Sequence, residues 1–258
     1  MIEATFQAIE KYKSSQESYT ILSIGCGSGI FEKPFLTKLI ELNKSIHFVG
    51  IDPKKLKCLK TEEWCQELRT IQPDKFRFKI HPVELEKFES SQSFDIVLLI
   101  HSFYYFSEIE SSFQKIYKLL GEEGIAIIVI AVKTELREPP YYVNQRLYQR
   151  SMLFSDDLDK FFSEHNISVH QKIIESPVNI TKCFQKDSQL AKHLLDFIVG
   201  ANTTYFSPSQ LQVLLDYFRT NSQKLESGEI MIPSSISFYY FQNHKEEETE
   251  KKEEGGIF

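Results

Sequence analysis

Short apolar, β-branched runs alternate with amphipathic stretches over the first three-quarters of the chain, the arrangement that βαβ units around a mostly parallel sheet require. Residues 20–24, 46–51, 76–81, 94–100 and 125–132 read as strands. The fourth and fifth runs are almost continuously apolar, as strands covered on both faces should be, which puts the sheet centre beside them. Helical spacing fills 34–42 and 54–71. The run Ser107, Glu108, Ile109, Glu110 has the form of a capping box opening a further helix, which Gly121 is expected to close. The fold class is therefore α/β, with helices on both faces of the sheet.

Beyond Val132 the pattern changes. Residues 133–140 are polar and interrupted by Pro139 and Pro140, and the aromatic Tyr141 and Tyr142 follow, so 133–148 is expected to form a loop over an active-site face. A helix over 156–165 capped by Ser155, a strand over 167–174 and helices over 190–199 and 211–218 come next. The last of these starts with Ser207 as N-cap, Pro208 at the first helical position and Gln210 completing a capping box. A final strand covers 234–241, and the Lys/Glu run after it has nothing to bury and is expected to be disordered. The expected organisation is an N-terminal segment 1–18, a cofactor-binding core 19–132, an acceptor-binding region completing the sheet 133–242, and a charged tail 243–258.

Composition narrows the partners. A chain of 258 residues with 41% hydrophobic content has room for a substantial core. A net charge of −6 argues against a surface that tracks nucleic-acid phosphates, which needs clustered Lys and Arg. No run approaches the roughly 18 apolar residues of a membrane span, and residues 1–17 lack the apolar centre of a secretory leader. The expectation is a cytoplasmic monomer with a small-molecule partner, no nucleic acid and no membrane. Cys26, Cys58, Cys65 and Cys183 show neither Cys-x-x-Cys pairing nor metal-ligand spacing, so free thiols and no metal are expected.

The chemistry-bearing motif is Ile21-Leu22-Ser23-Ile24-Gly25-Cys26-Gly27-Ser28-Gly29, three glycines at alternate positions directly after the first strand. A turn there lets a ligand approach the backbone closely. Asp52 ends the second strand roughly 20 residues further on, where a carboxylate can accept from both hydroxyls of a ribose. Read structurally, the glycines make a tight strand-to-helix turn and Asp52 caps a helix before Pro53. Nicotinamide-dependent oxidoreductases join the same two features, but with Gly-x-Gly-x-x-Gly, whereas Gly25, Gly27 and Gly29 follow Gly-x-Gly-x-Gly and position 30 is Ile.

Further along, Ser93-Phe94-Asp95-Ile96-Val97 resembles the fourth-strand signature of class I methyltransferases, and Leu119-Leu120-Gly121-Glu122-Glu123-Gly124 resembles their turn into the fifth strand. From about Ile21 to Phe241 the chain resembles the histamine N-methyltransferase family, through Ile21–Gly25, Asp52-Pro53, Ile100-His101-Ser102-Phe103-Tyr104-Tyr105 and Ile236-Ser237-Phe238. The resemblance implies a Rossmann-like class I methyltransferase sheet with a small C-terminal substrate-binding region, S-adenosyl-L-methionine as cofactor, and methyl transfer to a small organic acceptor, first of all an amine nitrogen and second an oxygen. It implies that Gly25, Cys26, Gly27, Gly29 and Asp52 hold the cofactor, that Ile100 sits by it, and that the segment from His81 to Glu84 borders adenine. The family has glutamine where His101 stands and asparagine where Ser234 stands, and its N-terminal aromatic segment precedes the region where this chain begins. These departures point away from histamine itself.

On the acceptor side, His101, Tyr104 and Tyr105 follow the carboxyl end of the fourth strand, where an open α/β sheet presents its crevice. They are the catalytic candidates, with His101 a base titrating at roughly 6 to 7; Tyr141, Tyr142 and Ser234 are the acceptor-binding candidates. The structural alternatives are core packing for the tyrosines and a hydrogen-bonded structural histidine. Methyl transfer from an activated sulfonium rests largely on positioning, so no metal is needed. Two rival readings are an oxidoreductase and a non-catalytic protein that keeps the fold. A last strand antiparallel beside the fifth argues against the first, and binding of S-adenosylmethionine against the second.

Overall fold

The computed structural model describes residues 1–13, 16–106, 108–149, 152–185 and 188–243. In chain order the elements are α1 (Ile2–Lys13), β1 (Ser18–Ile24), α2 (Glu32–Glu41), β2 (Ser45–Ile51), α3 (Lys55–Ile71), β3 (Phe76–His81), β4 (Phe94–Ile100), α4 (Ile109–Leu119) and β5 (Leu120–Ala131). They continue with α5 (Glu138–Tyr148), α6 (Ser155–Glu164), β6 (His170–Glu175), β7 (Val178–Asn179), α7 (Gln189–Val199), α8 (Pro208–Thr220), β8 (Gln223–Lys224), β9 (Ile230–Ile232) and β10 (Ser235–Gln242).

Seven strands form one sheet in the order β3-β2-β1-β4-β5-β10-β6, and β10 runs antiparallel between β5 and β6. The strand order reverses between β1 and β4, and their carboxyl ends open the crevice that such a switch point creates. Side chains alternate across the sheet. Ile21, Phe48, Ile96, Leu98, Ile127 and Val129 pack on one face with Phe6 of α1, Phe35 of α2 and Trp64 of α3. Leu22, Val49, Val97, Leu99, Ile128 and Ile130 pack on the other with Phe113 of α4 and Phe162 of α6. Each such fully buried side chain contributes about 1.5–3 kcal/mol, which fixes the register that brings the glycine turn, Asp52 and His101 to one sheet end.

A third, smaller core joins Leu136, Ile180, Cys183, Leu195, Val199, Phe218 and Ile232, beside the three-stranded sheet β7-β9-β8. The N-terminal segment holds a helix that the sequence pattern hides. Its apolar positions Phe6 and Ile9 are diluted by charges, yet they and Ala8 are buried against the sheet.

Several expectations need correction. Residues 133–148 do not form a loop: a single 3-10 turn, Glu135–Arg137, leads into α5. Pro139 and Pro140 sit in the first turn of α5, where a missing N–H costs nothing, so the prolines start a helix instead of breaking one. Gly121 does not close α4; the chain passes from Leu119 straight into β5, with a register irregularity between Phe94 and Ile96. Ser107 lies outside the described residues, and the N-cap of α4 is Glu108. Phe154, not Ser155, is the N-cap of α6, its N–H donating to Asp157 Oδ2 at 2.8 Å. Strand β6 starts at His170 rather than 167, because Ile167 and Val169 pack against the sheet without pairing. The Ser207–Gln210 capping box forms as expected. The charged tail from 244 lies outside the described residues.

Candidate cofactor and acceptor site

The three glycines after β1 all adopt left-handed backbone, with φ of +73° at Gly25, +58° at Gly27 and +74° at Gly29, which explains the residue type at each. Their surroundings differ. A Cβ on Gly25 would lie 2.4 Å from Ser102 Cβ, and one on Gly29 would lie 2.4 Å from the Trp64 indole nitrogen. Protein fills both of those spaces. A Cβ on Gly27 would meet nothing nearer than the flexible end of Lys57 at 3.9 Å, so only this glycine leaves its space open for a ligand.

The loop is held from two sides. Gly25 and Cys26 donate N–H bonds to Ile51 O at 2.8 and 3.1 Å, while Thr61 Oγ1 donates to Gly27 O and Trp64 Nε1 to Ser28 O. The Cys26 thiol is buried near Gly50 and donates a long bond to Gly27 O at 3.9 Å, and burial raises its pKa. Asp52 is buried at the end of β2, accepting from Gly27 N at 3.0 Å through Oδ2 and from Lys54 N at 2.8 Å through Oδ1. Its carboxylate thus ties the loop to the start of α3 and keeps one lone pair on each oxygen for a further donor. Beneath the loop, Glu32 in the first turn of α2 accepts from Ser23 Oγ at 2.7 Å, and burial pushes its carboxyl up to about 7.

His81 ends β3 with its ring against Phe88, and its carbonyl accepts from Asp52 N at 3.2 Å. Glu84 is exposed and paired with Lys87 at 2.7 Å, so of that segment His81 stands nearer the glycine turn. Ile100 ends β4, half-buried. The chain then turns at His101, whose φ of +52° redirects it into the 3-10 turn Phe103–Tyr105. Ser102 packs onto Gly25, and its hydroxyl oxygen is buried with no hydrogen-bond partner.

His101 and Tyr104 form a joined pair, with His101 Nδ1 2.6 Å from Tyr104 Oη and Tyr104 Oη accepting from Ala131 N at 3.0 Å. Within that pair the one atom able to take the phenol proton is Nδ1, and the alternative would leave a buried hydroxyl unsatisfied. The neutral ring therefore carries its own proton on Nε2, which acts as a donor. Burial, aided by the charge of Arg137, lowers the histidine pKa to about 4, and burial raises the tyrosine to about 12. A base titrating at 6 to 7 is not what this environment makes of His101. Tyr105 is 79% exposed and meets Tyr104 edge-on.

Ser234 is buried just before β10, whose pairing of Ile236 with Ala131 brings it to the same sheet end as Tyr104. Tyr141 packs against Phe154 and Tyr142 with Lys133 Nζ 4.8 Å from its ring centre, and Tyr142 is 55% exposed. Pattern reading missed Ser102, Thr134 and Arg137. Thr134 Oγ1 and Arg137 Nε are buried without a hydrogen-bond partner, in the turn just past β5. Ser102 was within reach, lying inside the Ile100–Tyr105 run; the other two carry no local signal. No cluster suited to a metal ion exists among the described residues, and the described cysteines are all free.

Comparison with known proteins bears on this geometry. Residues 22–126 match a family model described as a methyltransferase domain, spanning the glycine turn, Asp52 and His101. These residues form an S-adenosylmethionine-dependent methyltransferase domain. This methyltransferase is 20% identical to histamine N-methyltransferase of Bos taurus over 234 residues, 84% of this chain and 80% of that one. It is 24% identical to malonyl-[acyl-carrier protein] O-methyltransferase 2 of Ilyobacter polytropus over 232 residues, 84% of this chain and 81% of that one. Among solved structures, the YcgJ protein of Bacillus subtilis superposes with a TM-score of 0.62 at 13% identity, covering 95% of the methyltransferase and all of that chain. The plantazolicin methyltransferase BpumL, solved with S-adenosylhomocysteine, gives 0.53 at 15% identity over 94% of this chain and 83% of that one. These structures share the fold; in this chain β10 lies antiparallel beside β5, the arrangement that argues against the oxidoreductase reading.

Proposed function

We propose that the methyltransferase binds S-adenosylmethionine across the glycine turn and transfers its methyl group to a small acceptor held between the His101–Tyr104 pair and the Glu135–Arg137 turn. The reading rests on one observation: Gly27 alone of the three glycines faces open space, and the Asp52 carboxylate and the orphaned Ser102 hydroxyl lie beside that loop. Asp52 accepts from the ribose hydroxyls, the Gly25–Gly27 backbone lies along the methionine part, Ser102 Oγ bonds its polar end, and His81 borders the base. The cofactor supplies an already activated methyl group, so the chain's task is to position the acceptor and exclude water. His101 presents Nε2–H to the acceptor as an orienting donor, and Tyr104 and Ala131 lock its ring. Residues 19–132 act as the cofactor half; 133–242 supply the acceptor side and complete the sheet.

The named relatives methylate nitrogen in one case and oxygen in the other, so they support a small-acceptor methyltransferase without choosing the atom. Among the described residues no helix is long and apolar enough to cross a membrane, in keeping with action on a dissolved acceptor in the cytoplasm. Calorimetric titration with S-adenosylhomocysteine tests the cofactor half. Micromolar binding by the wild type, weakened at least tenfold in Ser102→Ala, is the expected outcome; no binding by the wild type removes the reading.

A further inference from the structure

We propose that His101 Nε2, Thr134 Oγ1 and Arg137 form an anion-binding corner of the acceptor site, and that the methyl group is delivered to a carboxylate oxygen. This rests on the site assignment above and names its substrate class.

The observation that carries it is a pair of orphaned polar atoms. Thr134 Oγ1 and Arg137 Nε are both buried and unpartnered, within one turn that Arg137 N–H closes onto Thr134 O at 2.8 Å. Among the described residues Arg137 forms no ion pair, so its charge is not answered by a described carboxylate. A buried guanidinium nitrogen without a partner costs free energy that a bound carboxylate recovers, and the guanidinium fork matches a carboxylate in shape. The turn begins just after β5, whose last residue, Ala131, anchors Tyr104 and through it His101. Burial and, after it, the charge of Arg137 act on both of those rings, and that charge disfavours a protonated amine beside them.

Proton balance points the same way. With Nδ1 of His101 engaged by Tyr104 and Nε2 protonated, neither ring offers a lone pair poised to take a proton at neutral pH. A carboxylate needs none, since it arrives ionised. One of its oxygens forms the bond to the methyl carbon as the bond from that carbon to the sulfonium sulfur breaks, and the electron pair of that bond stays on sulfur. The products are a neutral methyl ester and S-adenosylhomocysteine; no proton moves, and the ester no longer holds Arg137 by charge.

The same guanidinium could instead hold the carboxylate of the cofactor's own methionine part, and the test separates the two sources. Wild type, Arg137→Met and the shape-conserving Thr134→Val are titrated with S-adenosylhomocysteine by calorimetry. Affinity within about threefold of wild type in both variants is expected; a tenfold loss in Arg137→Met assigns the charge to the cofactor and overturns the proposal. The loaded, ¹⁵N-labelled proteins are then titrated with acetate, butyrate and octanoate, with chloride and butylamine as controls, while the His101 ring resonances are followed. A saturable shift with a carboxylate, absent with the controls and weakened at least tenfold in Arg137→Met, supports the corner. No saturable response to any of the three, or a response to butylamine instead, overturns it while leaving cofactor binding intact. With isotopically labelled S-adenosylmethionine, product label released by mild alkali supports ester formation, and alkali-stable label overturns it.

Discussion

On the cofactor side of the crevice the glycine turn is tied to the protein through Gly27 N–H to Asp52, Gly27 O to Thr61 and Ser28 O to Trp64, with Glu32 bonded to Ser23 beneath it, and the Ser102 hydroxyl beside it is buried without a partner. On the acceptor side the turn after β5 leaves Thr134 Oγ1 and Arg137 Nε without partners, and the aromatic Tyr105 and Tyr142 stand exposed. The first half is shaped in advance for one ligand. The second keeps its strongest donors unspent, the condition in which a ligand's own charge decides what binds. On the proposed reading the fold holds a common cofactor while acceptor choice rests on a few residues in and around one turn.

The comparison breaks most visibly at the glycines. Gly29→Ala combines left-handed strain of about 1–2 kcal/mol with a methyl group forced onto the Trp64 indole, a clash that adds about 1–3 kcal/mol. Chemical denaturation should show a loss of roughly 3 kcal/mol or more, with poor folding. Gly27→Ala carries the strain alone, about 1–2 kcal/mol, yet should abolish binding of S-adenosylhomocysteine because its methyl group enters the open space. Equal stability losses in the two variants would show that protein fills both spaces alike.

Asp52→Ala comes next in size. A bond to a charged acceptor is worth about 1.5–3 kcal/mol, so losing the ribose contacts should weaken cofactor affinity at least tenfold. The same carboxylate also holds Gly27 N and Lys54 N, so stability falls with affinity. Added S-adenosylhomocysteine should then raise the variant's melting temperature far less than the wild type's. An equal rise in both proteins would place the ribose elsewhere.

The parallel core was legible because β4 and the second half of β5 are continuous apolar runs, and the cofactor half because glycine with positive φ and a carboxylate closing a strand are requirements of local backbone geometry. Local requirements leave local traces. The glycine pattern did not disclose that Gly25 and Gly29 accommodate Ser102 and Trp64, since those contacts span sheet and helix. Helix α1 was hidden because its apolar face is narrow, and α5 because two prolines read as breakers where they are starters. Arg137 and Thr134 leave no motif; what marks them is the absence of partners, which appears only once the chain is folded.

A smaller effect is expected at His101. His101→Gln keeps an N–H donor near the acceptor, so turnover should fall less than the 100-fold typical of losing a positioned base. Because the folded ring is held neutral down to about pH 4, the wild-type rate should be flat from pH 6 to 8. A rise through pH 6 to 7 that vanishes in the variant would restore the base role and undo the distinction between the two halves. Stability carries the same sign: between the ordinary histidine value of 6.5 and about 4 the unfolded chain binds the extra proton, so acidification through that window destabilises the fold.

Glu32 sharpens the comparison from the other half, with the opposite sign. Its carboxyl moves from an ordinary 4.5 up to about 7, first because of burial, with Ser23 and backbone donors pulling it down and losing. Between those two values the folded chain binds more protons than the unfolded one, so stability is lost as pH rises through the window and levels off above it. Glu32→Gln keeps an amide oxygen to accept from Ser23 Oγ and removes the charge that burial penalises. The variant should therefore melt higher than wild type at pH 8, and the advantage should shrink toward pH 5, where the wild-type carboxyl is already protonated. Melting curves at the two pH values check it. A variant less stable than wild type at pH 8 would mean that the ionised carboxylate holds the first turn of α2 through its backbone donors more strongly than burial opposes it.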